Sequence, residues 1–162
     1  FLILVGFTKN ISADETTPSD SHQFNFFSGV FDINTSSKKS SELFGIQHSN
    51  EDLFRDTFLG KLSPITGLMM TADSSSYFYT GVQAEYKIGK LNLVPSFAPG
   101  LYTMGDGKDL GSPLEFKSEL QLSIDILPGT TLGYSQSHLS NAGLGDKNPG
   151  ADSYMFNLMK SF

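Results

Sequence analysis

The sequence has no cysteine, no tryptophan, and only 11 Lys+Arg against 17 Asp+Glu. Each shortage narrows the field. Without cysteine there can be no disulfide scaffold, thiolate zinc site or thiol nucleophile. A formal net charge of -6 argues against nucleic acid as the main partner, because phosphate contacts need clustered Lys and Arg. No apolar run approaches the ~18 residues of a membrane-spanning helix. At 162 residues the chain suits one domain and is too short for a kinase or a (β/α)8 barrel. Its 38% hydrophobic share is ordinary for a folded protein. Composition therefore specifies one folded domain, without specifying the solvent around it.

The first residues stand apart from the rest. The chain opens on Phe1, and FLILVGFTKNISA is an apolar run reaching a small residue at Ala13, followed by DETTPSDS. This reads as the tail of a secretory signal peptide over residues 1–13, ahead of a single domain over 14–162. A short buried first strand is the competing reading.

Beyond that polar tail no helical stripe emerges. β-type segments recur between Gly, Asp, Asn, Ser and Pro clusters. Eight are expected: Gln23–Ile33, Ser40–His48, Lys61–Thr71, Ser75–Ile88, Lys90–Tyr102, Ser112–Ile126, Thr130–Ser140 and Asp152–Phe162. An even count with short connections predicts a hairpin meander. The clearest alternation is LEFKSELQLSIDI, with Leu114, Phe116, Ser118, Leu120, Leu122, Ile124 and Ile126 on one face. Glu115, Lys117, Glu119, Gln121, Ser123 and Asp125 take the other. About 13 residues at ~3.3 Å each span roughly 40 Å, long for a soluble sheet but natural for a tilted strand crossing a membrane. Lys90–Tyr102 alternates too, but Pro95 and Pro99 each remove a ladder donor, and bulges are the expected accommodation. The closing YMFNLMKSF puts Tyr154, Phe156, Leu158, Lys160 and Phe162 in one phase and ends on an aromatic. The last strand of Gram-negative outer-membrane barrels is similar. The expected fold is all-β: an eight-stranded antiparallel up-and-down transmembrane β-barrel. A soluble barrel with an apolar interior is the alternative, since alternation alone does not say which face looks inward.

Candidate chemistry is sparse. His22 falls in the tail, and His48 reads as a sheet-end histidine. His138 and Ser140 are two apart on a strand and share a face, so the imidazole can serve the hydroxyl as a general base. A polar strand end without chemistry accounts for the pair equally simply. A third residue must fix the histidine tautomer. Counted back from Phe162, Asp152 shares the phase of Tyr154 and Phe156, as His138 and Ser140 share that of Leu132 and Tyr134. All three then look outward with the apolar face, which suits a substrate that is itself a membrane lipid. Asp146 is a weaker rival inside the loop, and Lys147 reads as a solvated lysine ahead of a lipid-phosphate contact. No metal or other cofactor is called for.

The segment SHLSNAGLGDKNPGAD, Ser137–Asp152, resembles the signature of the lipid A 3-O-deacylase family, the PagL-type outer-membrane acyloxyacyl hydrolases. PSFAPGLYTMGDGKDLGSPLEFKSELQLS, Pro95–Ser123, resembles the core of the same family, and the likeness runs from about Phe24 to Phe162. The resemblance implies an eight-stranded outer-membrane barrel with a lipid-facing His-Ser-acid triad. His138 matches its histidine, Ser140 its nucleophile, and Asn141 the following residue that helps form the oxyanion hole. The acidic member, usually Glu in NPGxE, falls on Asp152 of NPGAD. Aspartate keeps the charge but is one methylene shorter. The implied function is a serine esterase that hydrolyses an ester-linked acyl chain of lipid A in the outer leaflet. A non-catalytic structural or adhesion barrel is the alternative. With both termini periplasmic, the connections near Asp32–Lys39, Ala72–Ser74, Thr103–Gly111 and Asn141–Ala151 lie outside the cell. Ser49–Gly60 is then long for a periplasmic turn. A homodimer stays open beside a monomer.

Overall fold

The computed structural model describes residues 21–33 and 40–162. The signal-peptide reading of residues 1–13 lies outside the described residues, as do residues 34–39 of the first connection. Ten strands follow in order: β1 His22–Phe31, β2 Ser41–Asn50, β3 Arg55–Thr57, β4 Gly60–Thr71, β5 Ser76–Ala84, β6 Tyr86–Ile88, β7 Leu91–Thr103, β8 Leu114–Leu127, β9 Thr130–Ser140 and β10 Ala151–Ser161. β5 and β6 are one wall strand broken at Glu85, and β3 pairs only with β4, beyond the wall proper. The remaining neighbours run β1-β2-β4-β5-β7-β8-β9-β10, all antiparallel. β10 then pairs with β1, from Gln23↔Ser161 to Phe31↔Ser153, so the sheet closes. This is an eight-stranded barrel, and closure leaves the wall no free edge.

The barrel is apolar on the outside. Phe26, Phe44, Leu68, Phe78, Leu101, Leu120, Leu122, Leu132, Phe156 and Leu158 all project outward and exposed, with Phe156 at 71%. Inward positions of the same strands carry Asn25, Gln47, Lys117, Gln121, Ser135 and Asn157, all buried. A water-soluble barrel would carry the opposite sorting. An exposed apolar girdle around a closed wall is what a lipid bilayer stabilises, since every backbone group inside the hydrocarbon is paired within the sheet.

The interior is divided along its length. Toward the end holding the 104–113 and 141–150 connections, Phe31, Leu43, Met69, Tyr77, Tyr102, Leu110 and Met155 pack into a dry core. Aromatic rings fit there by lying over glycines of the paired strand: Phe27 over Gly45 and Tyr79 over Gly67. A Cβ at Gly45 would stand 2.2 Å from the Phe27 ring, so the small residue is required for closure at this radius. Midway, Lys117 Nζ meets Glu119 Oε2 at 2.7 Å and stands 3.9 Å from the Tyr79 ring centroid. Toward the terminal end the lining is polar, with Asn25 Nδ2 donating to Asn157 Oδ1 and Gln47 Nε2 to Gln83 Oε1. A cavity of about 510 Å³ opens there between Gln23, Asn92, Gln121, Asp125 and Ser161.

Two expectations are corrected. Pro95 and Pro99 do not create bulges. β7 keeps one register with β8 from Asn92↔Ser123 to Leu101↔Leu114, without a shift. In an antiparallel sheet each N–H points at only one flanking strand. The intact β7–β8 ladder therefore means that both prolines turn their missing donors toward β5. That ladder skips Thr80 and Gly81, opposite Pro99, and the wall strand breaks into β5 and β6 beside Pro95. The register shifts instead between Asp125 and Leu127 of β8, in its pairing with β9. The long Ser49–Gly60 stretch is likewise more than a turn: it holds a 3-10 turn, Glu51–Leu53, and the β3–β4 hairpin.

Candidate active site

β9 and β10 bring His138 and Asp152 face to face. They are direct cross-strand partners, and His138 Nδ1 lies 2.7 Å from Asp152 Oδ1. Both project outward, His138 half exposed and Asp152 mostly covered. The phase arises from the sequence: Leu132, Tyr134, Gln136 and His138 alternate with buried Ser135, Ser137 and Leu139. On β10, Tyr154, Phe156 and Leu158 alternate with Ser153, Met155 and Asn157. A carboxylate on Nδ1 holds the proton there and leaves Nε2 with a free lone pair. An imidazole so held is oriented as a general base.

Ser140 stands on the same outward phase, two residues beyond His138 and partly covered. Among the described residues no hydrogen bond joins its hydroxyl to His138. Bonds of this kind tighten when substrate arrives. Across the sheet Ser140 is opposite Phe116 and His138 is opposite Ser118. Phe116 stacks on Phe97 at 6.0 Å, and Tyr134 stacks on Tyr154 at 5.8 Å. The polar group is therefore set among outward aromatics, with a groove of about 360 Å³ running from His138 past Gln136, Ser118 and Leu120.

Asn141 is fully buried and already engaged at every polar atom. Its backbone N–H donates to Asn148 Oδ1 at 3.1 Å. Its Nδ2 donates to the carbonyls of Leu110 and Lys147, each at 2.8 Å, and its Oδ1 accepts from the Gly143 N–H at 2.9 Å. Asn141 thus ties the 141–150 connection to the 104–113 connection. Lys147 Nζ pairs with Asp109 Oδ2 at 2.8 Å, which accounts for a lysine read from sequence as solvated. That contact, with the Gly111 N–H, holds the Asp109 carboxyl below the ordinary aspartate range. Lys108 pairs with buried Asp32 at 2.7 Å, and Asp106 N–H donates to the Asp73 carbonyl. The connections at this end are laced to one another, with Leu110 inserted into the core as a plug.

The other two histidines lie at the opposite end. His22, expected in the tail, begins β1, and its ring stacks on His48 at 5.2 Å with Nδ1 3.0 Å from Nε2. Beside them, burial and the neighbouring Glu85 push the Glu51 carboxyl up. Among the described residues no group of three or more His, Cys, Asp or Glu could hold a metal ion.

Residues 31–161 match the lipid A 3-O-deacylase (PagL) family. The chain belongs to that family. Among solved structures, the crystal structure of the outer membrane enzyme PagL superposes with a TM-score of 0.65 at 19% identity, covering 86% of this chain and 99% of that one. The Yersinia pestis outer membrane protein Ail, determined in a phospholipid bilayer nanodisc, gives 0.50 at 11% identity, again covering 86% of this chain and 99% of its own. At such identities these likenesses speak for the fold: an outer-membrane barrel. No curated protein matches the chain. The PagL-family segment contains His138, Ser140, Asn141 and Asp152, together with the laced connections around them.

Proposed function

We propose that this PagL-family barrel is a serine esterase that removes an ester-linked acyl chain from lipid A. The observation that carries the reading is the 2.7 Å contact between His138 Nδ1 and Asp152 on the lipid-facing wall. A carboxylate bonded to an imidazole on an apolar outer surface costs desolvation energy, and ionisable groups kept at membrane depth mark functional sites. Outward Phe97, Phe116, Tyr134 and Tyr154 give an acyl chain an apolar bed beside it.

In the proposed reaction Ser140 Oγ attacks the ester carbonyl carbon while His138 Nε2 takes the hydroxyl proton. Asp152 stabilises the resulting imidazolium. The tetrahedral intermediate collapses, the C–O bond to the sugar breaks, and His138 returns the proton to the departing alkoxide. Water, deprotonated by His138, then cleaves the acyl-Ser140 ester and releases a fatty acid. Asn141 is the oxyanion partner read from the sequence. Its backbone N–H can take that part by exchanging the neutral Asn148 amide oxygen for the charged oxygen of the intermediate, a stronger acceptor. Asp152 in place of Glu is accommodated because direct cross-strand pairing already brings its carboxylate to the ring. The reading also requires the 141–150 end to face the leaflet that holds lipid A, with both termini periplasmic.

Mass spectrometry of lipid A from Gram-negative cells making wild type or Ser140→Ala tests this. Wild type should remove one ester-linked chain and Ser140→Ala none. Identical lipid A from both would end the esterase reading.

A further inference from the structure

Gly150 is the last residue before β10, one step beyond the Leu139↔Ala151 pair, and so comes opposite Ser140. Its backbone is left-handed, with φ +60°. A Cβ placed on it would stand 2.8 Å from His138 Cε1 and 3.2 Å from Nε2. The first distance is below what real Cβ contacts show. The Cε1–Nε2 edge of the imidazole therefore lies over the bare Cα of Gly150, at the level of the Ser140–Gly150 pair. The Nδ1 edge is held at Asp152 on β10, two residues beyond Gly150.

We infer that Gly150 is a positioning residue: its missing side chain is the space into which His138 turns, so that one ring edge meets Asp152 and the other faces Ser140. This rests on the esterase reading for its functional meaning, though not for its geometry. A side chain at residue 150 would rotate the ring away from Ser140, weaken the Asp152 contact, or both. Left-handed backbone alone does not explain the glycine. Gly89, in the turn between β6 and β7, has φ +64°, yet a Cβ there would meet nothing within 4 Å. The two glycines share a backbone requirement and differ in the neighbour.

That pairing supplies the control. Purified wild type, Gly150→Ala and Gly89→Ala, each also with His138→Ala, are refolded in detergent. Unfolding midpoints are measured for all six, and kcat and KM on purified lipopolysaccharide for the three that keep His138. Both alanines strain the backbone alike. Gly150→Ala should lower kcat at least about tenfold, within the range that positioned proton transfer contributes, with KM changed less than about threefold. Gly89→Ala should stay within about threefold of wild type in both. The destabilisation by Gly150→Ala should shrink when His138 is removed, because the clash goes with the ring, whereas that of Gly89→Ala should not change. If Gly150→Ala alone fails to fold, recovery of a folded barrel in the double variant reports the same coupling. Equal cost of Gly150→Ala with and without His138, or equal kcat losses in the two alanine variants, overturns the inference. A wild type inactive on lipopolysaccharide would sink the esterase reading, and the stability comparison would still decide the role of Gly150.

Discussion

The two ends of this barrel both carry outward-facing histidines, and they have little else in common. At the 141–150 end the connections are bonded to one another through Asn141, Lys147–Asp109 and Lys108–Asp32, above a dry core. There the histidine meets a carboxylate. At the terminal end the interior opens into a polar cavity, the β3–β4 hairpin extends beyond the wall, and His22 and His48 meet Phe24 and each other. Among the described residues no ion pair joins either ring to a carboxylate. On the proposed reading the histidine alone does not make the site. A cross-strand carboxylate, a hydroxyl on the same phase and a rigid rim set the two ends apart.

The largest expected break in that contrast comes from removing the carboxylate. Asp152→Ala should cut kcat by about 10⁴-fold, the size of loss found when a triad acid is removed. Asp152→Glu should retain activity within about tenfold, since the charge persists and the longer arm can be absorbed by a ring rotation. Steady-state hydrolysis of purified lipopolysaccharide checks both. A rate unchanged in Asp152→Ala would remove this residue from the chemistry. Next in size is the rim. Asn141→Ala leaves the buried carbonyls of Leu110 and Lys147 without their donor, at about 1–3 kcal/mol for a buried unsatisfied group. Urea unfolding monitored by the gel mobility of the folded barrel should show that loss, together with reduced activity. Wild-type stability in this variant would mean that the lacing is incidental. The smallest effect belongs to the other end: His48→Ala should leave hydrolysis within about twofold. A loss approaching that of Asp152→Ala would erase the distinction between the two ends.

Much of this was legible in the sequence because β-structure repeats every two residues. Phase alone sets His138, Ser140 and Asp152 on the apolar face, and the eight expected segments agree with the eight wall strands to within a few residues. Phase could not reveal which connections touch. The resemblance offered Asn141 as an oxyanion donor, and the sequence did not show that it already bonds Leu110 of the 104–113 connection and Asn148 of its own. Pro95 and Pro99 looked disruptive because the sequence does not say toward which neighbour a missing N–H points. The split of the interior into a dry half and a wet half was hidden for the same reason. It depends on Leu110 of a connection entering the core and on aromatic rings crossing to Gly45 and Gly67 of the paired strands. Nothing in the strand pattern marks Gly150 either, because its part depends on the His138 ring lying over it.

On the proposed reading Ser140 is a nucleophile activated by the outward His138–Asp152 pair. Covalent labelling of the purified, detergent-folded chain with a fluorophosphonate ester, followed by mass spectrometry of the labelled peptides, tests that role directly. A single adduct on Ser140 is expected, and it should disappear in His138→Ala while the barrel stays folded. An adduct on another serine, or labelling of Ser140 that persists without His138, would contradict it.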